Sequence, residues 1–230
     1  MIARPPSLPT FARRCSRREL LFGVTALGTT ALVAAPAGAE PEAEVSRFTP
    51  DERARLLSHG EVRRRFTFTH GRRSYLGALS YSGIAREAAT VLSTLQDMDH
   101  LPRALPATRE TFFPNPNDRQ ALRVVHGTFL VNGGYTLSWN PQPSQNLIRF
   151  WLDRSQPADV EDVFGFFRVE AYGPQQSILT VAVAVDPGEG LLAAMFRGTI
   201  HDFMSRPARY IKNYIHRHVP VGRHTVASGT

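Results

Sequence analysis

Between Leu191 and Ile215 the apolar positions recur at steps of three and four. Leu192, Phe196, Ile200, Phe203, Met204, Pro207, Ala208, Ile211, Tyr214 and Ile215 share one stripe, with Asp202, Arg206, Arg209, Asn213, His216 and Arg217 opposite. This spacing predicts a long amphipathic C-terminal helix that needs a broad apolar partner, since its own hydrogen bonds do not hold it together in water. Pro207 cannot donate to the carbonyl of Phe203, so the helix either kinks or stops and restarts behind Ser205 as N-cap. The stripe keeps its phase across the proline, which favours a kinked, continuous helix. Lifted off at the kink, that helix would leave room for a ligand beside Met204.

Upstream the period changes to two. Val62–Thr69 alternates, with Phe66 and Phe68 on one face and Arg63, Arg65 and Thr67 on the other. After the turn His70-Gly71-Arg72-Arg73, Ser74–Tyr81 completes a hairpin. Ahead of it, Thr49 is placed to cap a short helix from Pro50 to Leu57 that Gly60 ends. Ile84, Ala88, Val91, Leu92 and Leu95 form the apolar face of a helix over Ala85–Leu95, and one more turn ends near Leu105-Pro106. Six strand-like segments follow: Ala107–Phe113, Ala121–Val131, Tyr135–Asn140, Leu147–Leu152, Val163–Tyr172 and Ser177–Asp186. Their separators are short and rich in Pro, Gly, Asn and Asp, too short for parallel crossovers, so the strands must form an antiparallel meander. The predicted class is α+β, an antiparallel sheet wrapped around the C-terminal helix.

This order resembles the helix-grip fold of the START, Bet v 1 and polyketide cyclase (SRPBCC) superfamily, and within it the coenzyme Q-binding branch. The resemblance runs from Ser74 to about Arg217. Leu92-Ser93-Thr94-Leu95-Gln96-Asp97, leading into Leu101-Pro102-Arg103-Ala104-Leu105-Pro106, is similar to that family's short helix and Pro-bounded turn, and Phe196–Ile215 to its gripping helix. It implies a cavity for a hydrophobic small molecule between sheet and helix. The first strand and an export signal fall outside the common family pattern.

Alternation supports an apolar interior independently. It turns inward Val125, Phe129 and Val131; Tyr135, Leu137 and Trp139; Ile148, Phe150 and Leu152; Val163, Phe167 and Val169; and Leu179, Val181, Val183 and Val185. Gly165, within one inward row, predicts a dent in the wall. The candidate ligand-binding set is Phe129, Tyr135, Leu137, Trp139, Phe150, Phe167, Val181, Val183, Phe196, Ile200 and Met204. The alternative is that these residues fill a solid core.

The first residues change the picture of where the protein works. Arg17-Arg18 is followed by Leu20-Leu21, a weakly apolar run to Ala35 and the small-x-small site Ala37-Gly38-Ala39. The pattern resembles a twin-arginine signal peptide, with Sec export or an uncleaved anchor as alternatives. The predicted organisation is signal 1–39, lead-in and short helix 40–60, helix-grip domain 61–219 and a disordered tail 220–230. Its implied partners are the translocase during export and a hydrophobic small molecule or lipid, and its implied location is periplasmic or secreted. The leader carries Arg4, Arg13, Arg14, Arg17 and Arg18 against Glu19, so a net +4 of the formal +7 belongs to it. The remaining +3 is too small for a nucleic-acid footprint. Cys15, the single cysteine, lies ahead of the apolar run, so the mature domain has no thiol.

Arg63, Arg64, Arg65, Arg72 and Arg73 crowd the first hairpin. They suit a transient contact with anionic lipid headgroups or, more ordinarily, a solvated edge that discourages strand addition. Polar groups inside the cavity would make an enzyme, of cyclase, aromatase or hydrolase type. Alternation places His126, Arg149 and Glu170 outside, and His201 on the flank of the helix stripe. With no convergent set, no nucleophile elbow and no phosphate loop, no catalytic residue is predicted. Nor is a cofactor or metal, since His216-x-His218 has no carboxylate or cysteine to complete a site.

Overall fold

The computed structural model describes residues 48–127, 132–189 and 191–220. Thr49 accepts the Glu52 N–H while the Glu52 carboxylate takes the Thr49 N–H, and this reciprocal cap starts α1 (Pro50–Leu57). Then come β1 (Glu61–His70), β2 (Arg73–Ile84), α2 (Ala88–Gln96) and α3 (Leu101–Ala104). The meander is β3 (Thr108–Phe112), β4 (Ala121–Gly127), β5 (Asn132–Gln142), β6 (Leu147–Leu152), β7 (Asp162–Gly173) and β8 (Gln176–Asp186). Two helices close the chain, α4 (Leu191–Met204) and α5 (Pro207–His218).

All eight strands form one antiparallel sheet in the order β1-β2-β8-β7-β6-β5-β4-β3. The last strand returns to pair with the second, so the sheet curls around the C-terminal helices. This is the α+β helix-grip arrangement, with β1 added outside β2 as an edge strand. Its convex side is covered at that edge by α1: Phe48, Leu56, Val62 and Tyr81 form a small buried cluster. Arg64 reaches over the Phe48 and Tyr81 rings to the Glu52 carboxylate, 3.0 Å away. Four of the five hairpin arginines are tied down, and Arg72 is exposed in the turn. Arg63 pairs with Glu61, Arg65 with Asp202 of α4, and Arg73 approaches Asp162 at 3.5 Å.

At Pro207 the helix stops and restarts, contrary to the continuous kinked helix expected from the unbroken stripe. Ser205 does not cap the restart either. Fully buried, its hydroxyl donates back to the Asp202 carbonyl at 2.7 Å and accepts from Arg65 Nε at 3.2 Å. Arg206 is the first residue outside α5, and its side chain makes no capping bond. The free N–H of Ala208 is met by Ser80 Oγ of β2, at 3.3 Å. A cap supplied from the sheet holds the break where a local cap is missing. The break leaves no room at Met204, which is 5% exposed and belongs to the main core with Ala208, Ile211 and Ile215.

The inward rows of β5 to β8 are as alternation predicts, but β4 is out of phase by one. Val124 pairs with Tyr135 and Leu122 with Leu137, and directly paired residues share a face, so Leu122, Val124 and His126 point inward and Val125 outward. Adjacent valines at 124 and 125 hide the phase, and the inward anchors chosen beyond them, Phe129 and Val131, lie outside the described residues. The dent at Gly165 is also filled. A Cβ there would stand 2.6 Å from Phe150 Cζ and 2.1 Å from the Ala182 carbonyl oxygen. The ring of Phe150 occupies the space that the glycine vacates.

Candidate functional site

The concave face divides into two halves. Under α5, Ile211 and Ile215 share one core with Ile84 of β2, Leu179 of β8, Val169 of β7 and Ile148 of β6, each at most 1% exposed. Val91 and Leu95 of α2 and Leu101 of α3 join the same core. In the middle of the sheet Trp139, Phe150 and Phe167 pack on one another, with ring centroids 5.5 to 6.3 Å apart. Such an offset trio is favoured beyond its buried area. This half is closed.

Toward α4 the same rows stay partly open. Tyr135, Val183 and Ile200 pack against the core yet remain half-buried, and Phe203 of α4 is half-buried beside them. Here the inward phase of β4 brings in chemistry. His126 Nε2 lies 2.6 Å from the Tyr135 hydroxyl, and its Nδ1 lies 3.2 Å from Thr108 Oγ1 of β3. The His126 ring also stands edge-on to Phe203 at 6.1 Å. Three strands and one helix thus converge on a polar line set in an apolar wall. Burial pushes the Tyr135 phenol well above its usual range and lowers His126, so both groups are neutral near pH 7. A neutral imidazole bonded to a phenol can hold or pass a proton; it does not present a charge.

The other polar candidates lie elsewhere. Arg149 is exposed on the outer face, and Glu170, also outward, lies 3.9 Å from Arg168. His201 donates through Nε2 to the Gly77 carbonyl at 2.8 Å, which ties α4 to β2. A convex-side cluster joins Tyr75, Arg73 and Arg154 around Asp162; burial and that carboxylate push the Tyr75 phenol up to about 12. Among the described residues no group of three or more His, Cys, Asp or Glu side chains comes together as a metal site would require.

Of the ligand-binding set read from the sequence, Leu137, Trp139, Phe150, Phe167, Val181 and Met204 are buried in the main core, while Tyr135, Val183 and Ile200 border the open half. Phe129 and the side chain of Phe196 lie outside the described residues, as do Arg17, Arg18, Ala37 and Ala39. The sequence reading left Thr108, Leu122, Val124 and Phe203 out of the ligand-binding set and placed His126 on the outer face, where the pairing of β4 turns it inward. Pairing from Tyr135 backwards, rather than from Phe129, is the signal that recovers β4.

No protein-family model matches the chain, and no curated protein matches it in sequence. Solved structures do share its fold. The Zhui aromatase/cyclase from Streptomyces sp. R1128 is 13% identical over 68% of this chain and 99% of its own, with a TM-score of 0.54. A protein from Thermus thermophilus is 10% identical over 70% of this chain and 99% of its own, with a TM-score of 0.51. A START superfamily protein from Mycobacterium smegmatis is 18% identical over 61% of this chain and 97% of its own, with a TM-score of 0.48. At such identities what the Streptomyces and Thermus structures share with this chain is the fold alone.

Proposed function

We propose that the chain binds a hydrophobic small molecule, such as a lipid, quinone or polyketide-like compound, in the α4 half of the concave face. One observation carries this reading: apolar side chains that belong to the core, Tyr135, Val183 and Ile200, stay half-buried under α4 while their row-mates under α5 are sealed. Apolar wall left partly open, with a single polar pair set into it, is the composition of a small-molecule site. Aromatase/cyclase is what the Streptomyces neighbour is called, and it lends the reading only a compatible fold. Titrating the full chain with N-phenyl-1-naphthylamine, and extracting lipid from the purified protein for native mass spectrometry, tests it. Saturable binding that is lost in Val183→Trp supports the site. Absence of both probe uptake and co-purified lipid removes it and leaves an interaction domain with a filled core.

A second reading, an enzyme of cyclase, aromatase or hydrolase type, is favoured by the Thr108–His126–Tyr135 line alone, since it places an acid–base pair in an apolar wall. Turnover by wild type that vanishes in His126→Ala would establish it.

We further propose export through the twin-arginine route to the periplasm or beyond, on the strength of Arg17-Arg18 and Ala37-Gly38-Ala39. Arg17→Lys with Arg18→Lys should abolish delivery, and the exported protein should begin at Glu40. Unchanged periplasmic yield in a strain lacking that translocase would sink the proposal.

A further inference from the structure

The outer face of a single antiparallel sheet ordinarily meets water, and alternation then makes it polar. Here an apolar row crosses it. Phe66 pairs with Gly77, Gly77 with Ala184, Ala184 with Phe164 and Phe164 with Trp151, so these five share one face across β1, β2, β8, β7 and β6. That face is the convex one, since their strand neighbours Leu76, Val185, Val163 and Leu152 point into the main core. Toward the β1–β2 turn Phe68 stacks on Tyr75 with centroids 4.9 Å apart, and Tyr75 stands edge-on to Phe164 at 5.6 Å. Small residues let the rings lie flat: Phe66 lies over Gly77, where a Cβ has no room, and Ala184 is buried. The helix α1 covers the far end of this face at Val62 and Tyr81, while Phe66, Phe68, Phe164 and Trp151 stay half-buried. Cations mark the margin. Arg72, Arg149 and Arg154 are exposed there, and Arg168 stands over the Phe166 ring at 5.6 Å. The carboxylates in the same region are turned to bonds within the protein. Asp162 accepts from Tyr75 and Arg154, each at 2.8 Å, and buried Asp186 accepts the Gly188 N–H.

We propose that this aromatic row, with the arginines at its margin, docks the protein on an anionic lipid surface. Aromatic rings sit well at the depth of lipid headgroups, and guanidinium groups beside them reach the phosphates. Shape and charge both disfavour a second copy of the chain as the occupant. Two convex faces touch along a narrow strip only, whereas a headgroup layer yields to the curve. In a twofold contact the same arginines would also meet one another across the interface. The docking face stands apart from the ligand site under α4, which lies on the other side of the sheet, so either reading can fail without the other.

The test sediments the full chain with vesicles of phosphatidylcholine alone and of an equal mixture with phosphatidylglycerol, each also prepared with bromine-labelled acyl chains. The chain has two tryptophans, and Trp139 is 3% exposed in the core, so bromine in the bilayer reaches Trp151 first. The expected result is strong binding to the mixed vesicles, weak binding to phosphatidylcholine, and fluorescence quenching that disappears in Trp151→Phe. Arg149→Gln should weaken binding to the mixed vesicles about five-fold, the worth of one arginine near an anionic surface. Every variant keeps the arginine-rich first residues, so their own attraction to anionic lipid cancels in the comparison. No binding, equal binding to both vesicles, or quenching that persists in Trp151→Phe would overturn the proposal. So would a dimer in lipid-free solution that is lost in Trp151→Gln, which would assign the face to a second copy. Should Trp151→Phe fail to fold, Arg149→Gln decides alone, since the site is exposed: unchanged binding there refutes the docking face.

Discussion

The two halves of the concave face are built from the same strands and covered by the same stretch of sequence, yet they end differently. Under α5 the covering residues Ala208, Ile211, Tyr214 and Ile215 follow one another at helical spacing, the Tyr214 hydroxyl is taken up by His100 Nδ1 at 2.5 Å, and α2 and α3 add a floor. Under α4 the members of the stripe whose side chains are described ahead of Met204, Ile200 and Phe203, are both half-buried. The break at Ser205–Arg206 separates the two regimes. An amphipathic stripe guarantees that a helix will lie on the sheet; how tightly each turn is sealed depends on what stands opposite it.

Four substitutions or conditions break or sharpen that contrast. The largest effect should come from Trp139→Ala in the closed region, where the indole is 3% exposed, stacked on Phe150 and tilted against Phe167. Urea titration should show a loss of about 3–5 kcal/mol. A near-neutral result would mean that Trp139 borders open space and that the boundary between the halves is misplaced.

Met204→Trp probes the boundary itself. Met204 is 5% exposed in the main core, so the added volume should cost about 1–3 kcal/mol by overpacking. If stability instead held while uptake of N-phenyl-1-naphthylamine dropped, ligand space would extend past the break into the closed half.

Ile200→Ala, on the open side, should be milder, about 1 kcal/mol in the same titration, because a half-buried side chain loses less contact and its site can collapse. A clear change in probe affinity should accompany it. A loss as large as that of Trp139→Ala would place Ile200 in sealed core.

The smallest effect should be the pH dependence through His126. Burial holds its folded pKa below the ordinary 6.5, so as pH falls through that value the unfolded chain takes up a proton that the folded chain refuses. Stability from this group is therefore full above about pH 6.5 and is lost progressively below it. Thermal melts between about pH 7 and 5 should show a slope in wild type that flattens in His126→Asn. His216, also lowered by burial and by Arg86 and Lys212, should leave a residual slope. An unchanged slope in the variant would mean that His126 is well solvated and that this half is more open than its packing suggests.

Periodicity alone determined the antiparallel order of strands, the Thr49 cap of the first helix, the inward rows of β5 to β8 and the apolar stripe of the last helices. Each follows from bonds and spacings within a few residues, and a repeat of two or of three to four needs no knowledge of the rest of the chain. Three things were settled only when distant segments met. Val124 and Val125 look alike in sequence, and pairing with Tyr135 chose between them, turning His126 inward. The ring of Phe150 filled the gap at Gly165 from the neighbouring strand. Ser80, far along the chain from Ala208, supplied the bond that lets the last helix break at Pro207. A partner on another strand leaves no trace in local spacing, so the apolar frame was legible in advance while the polar line through Thr108, His126 and Tyr135 had to wait for the fold.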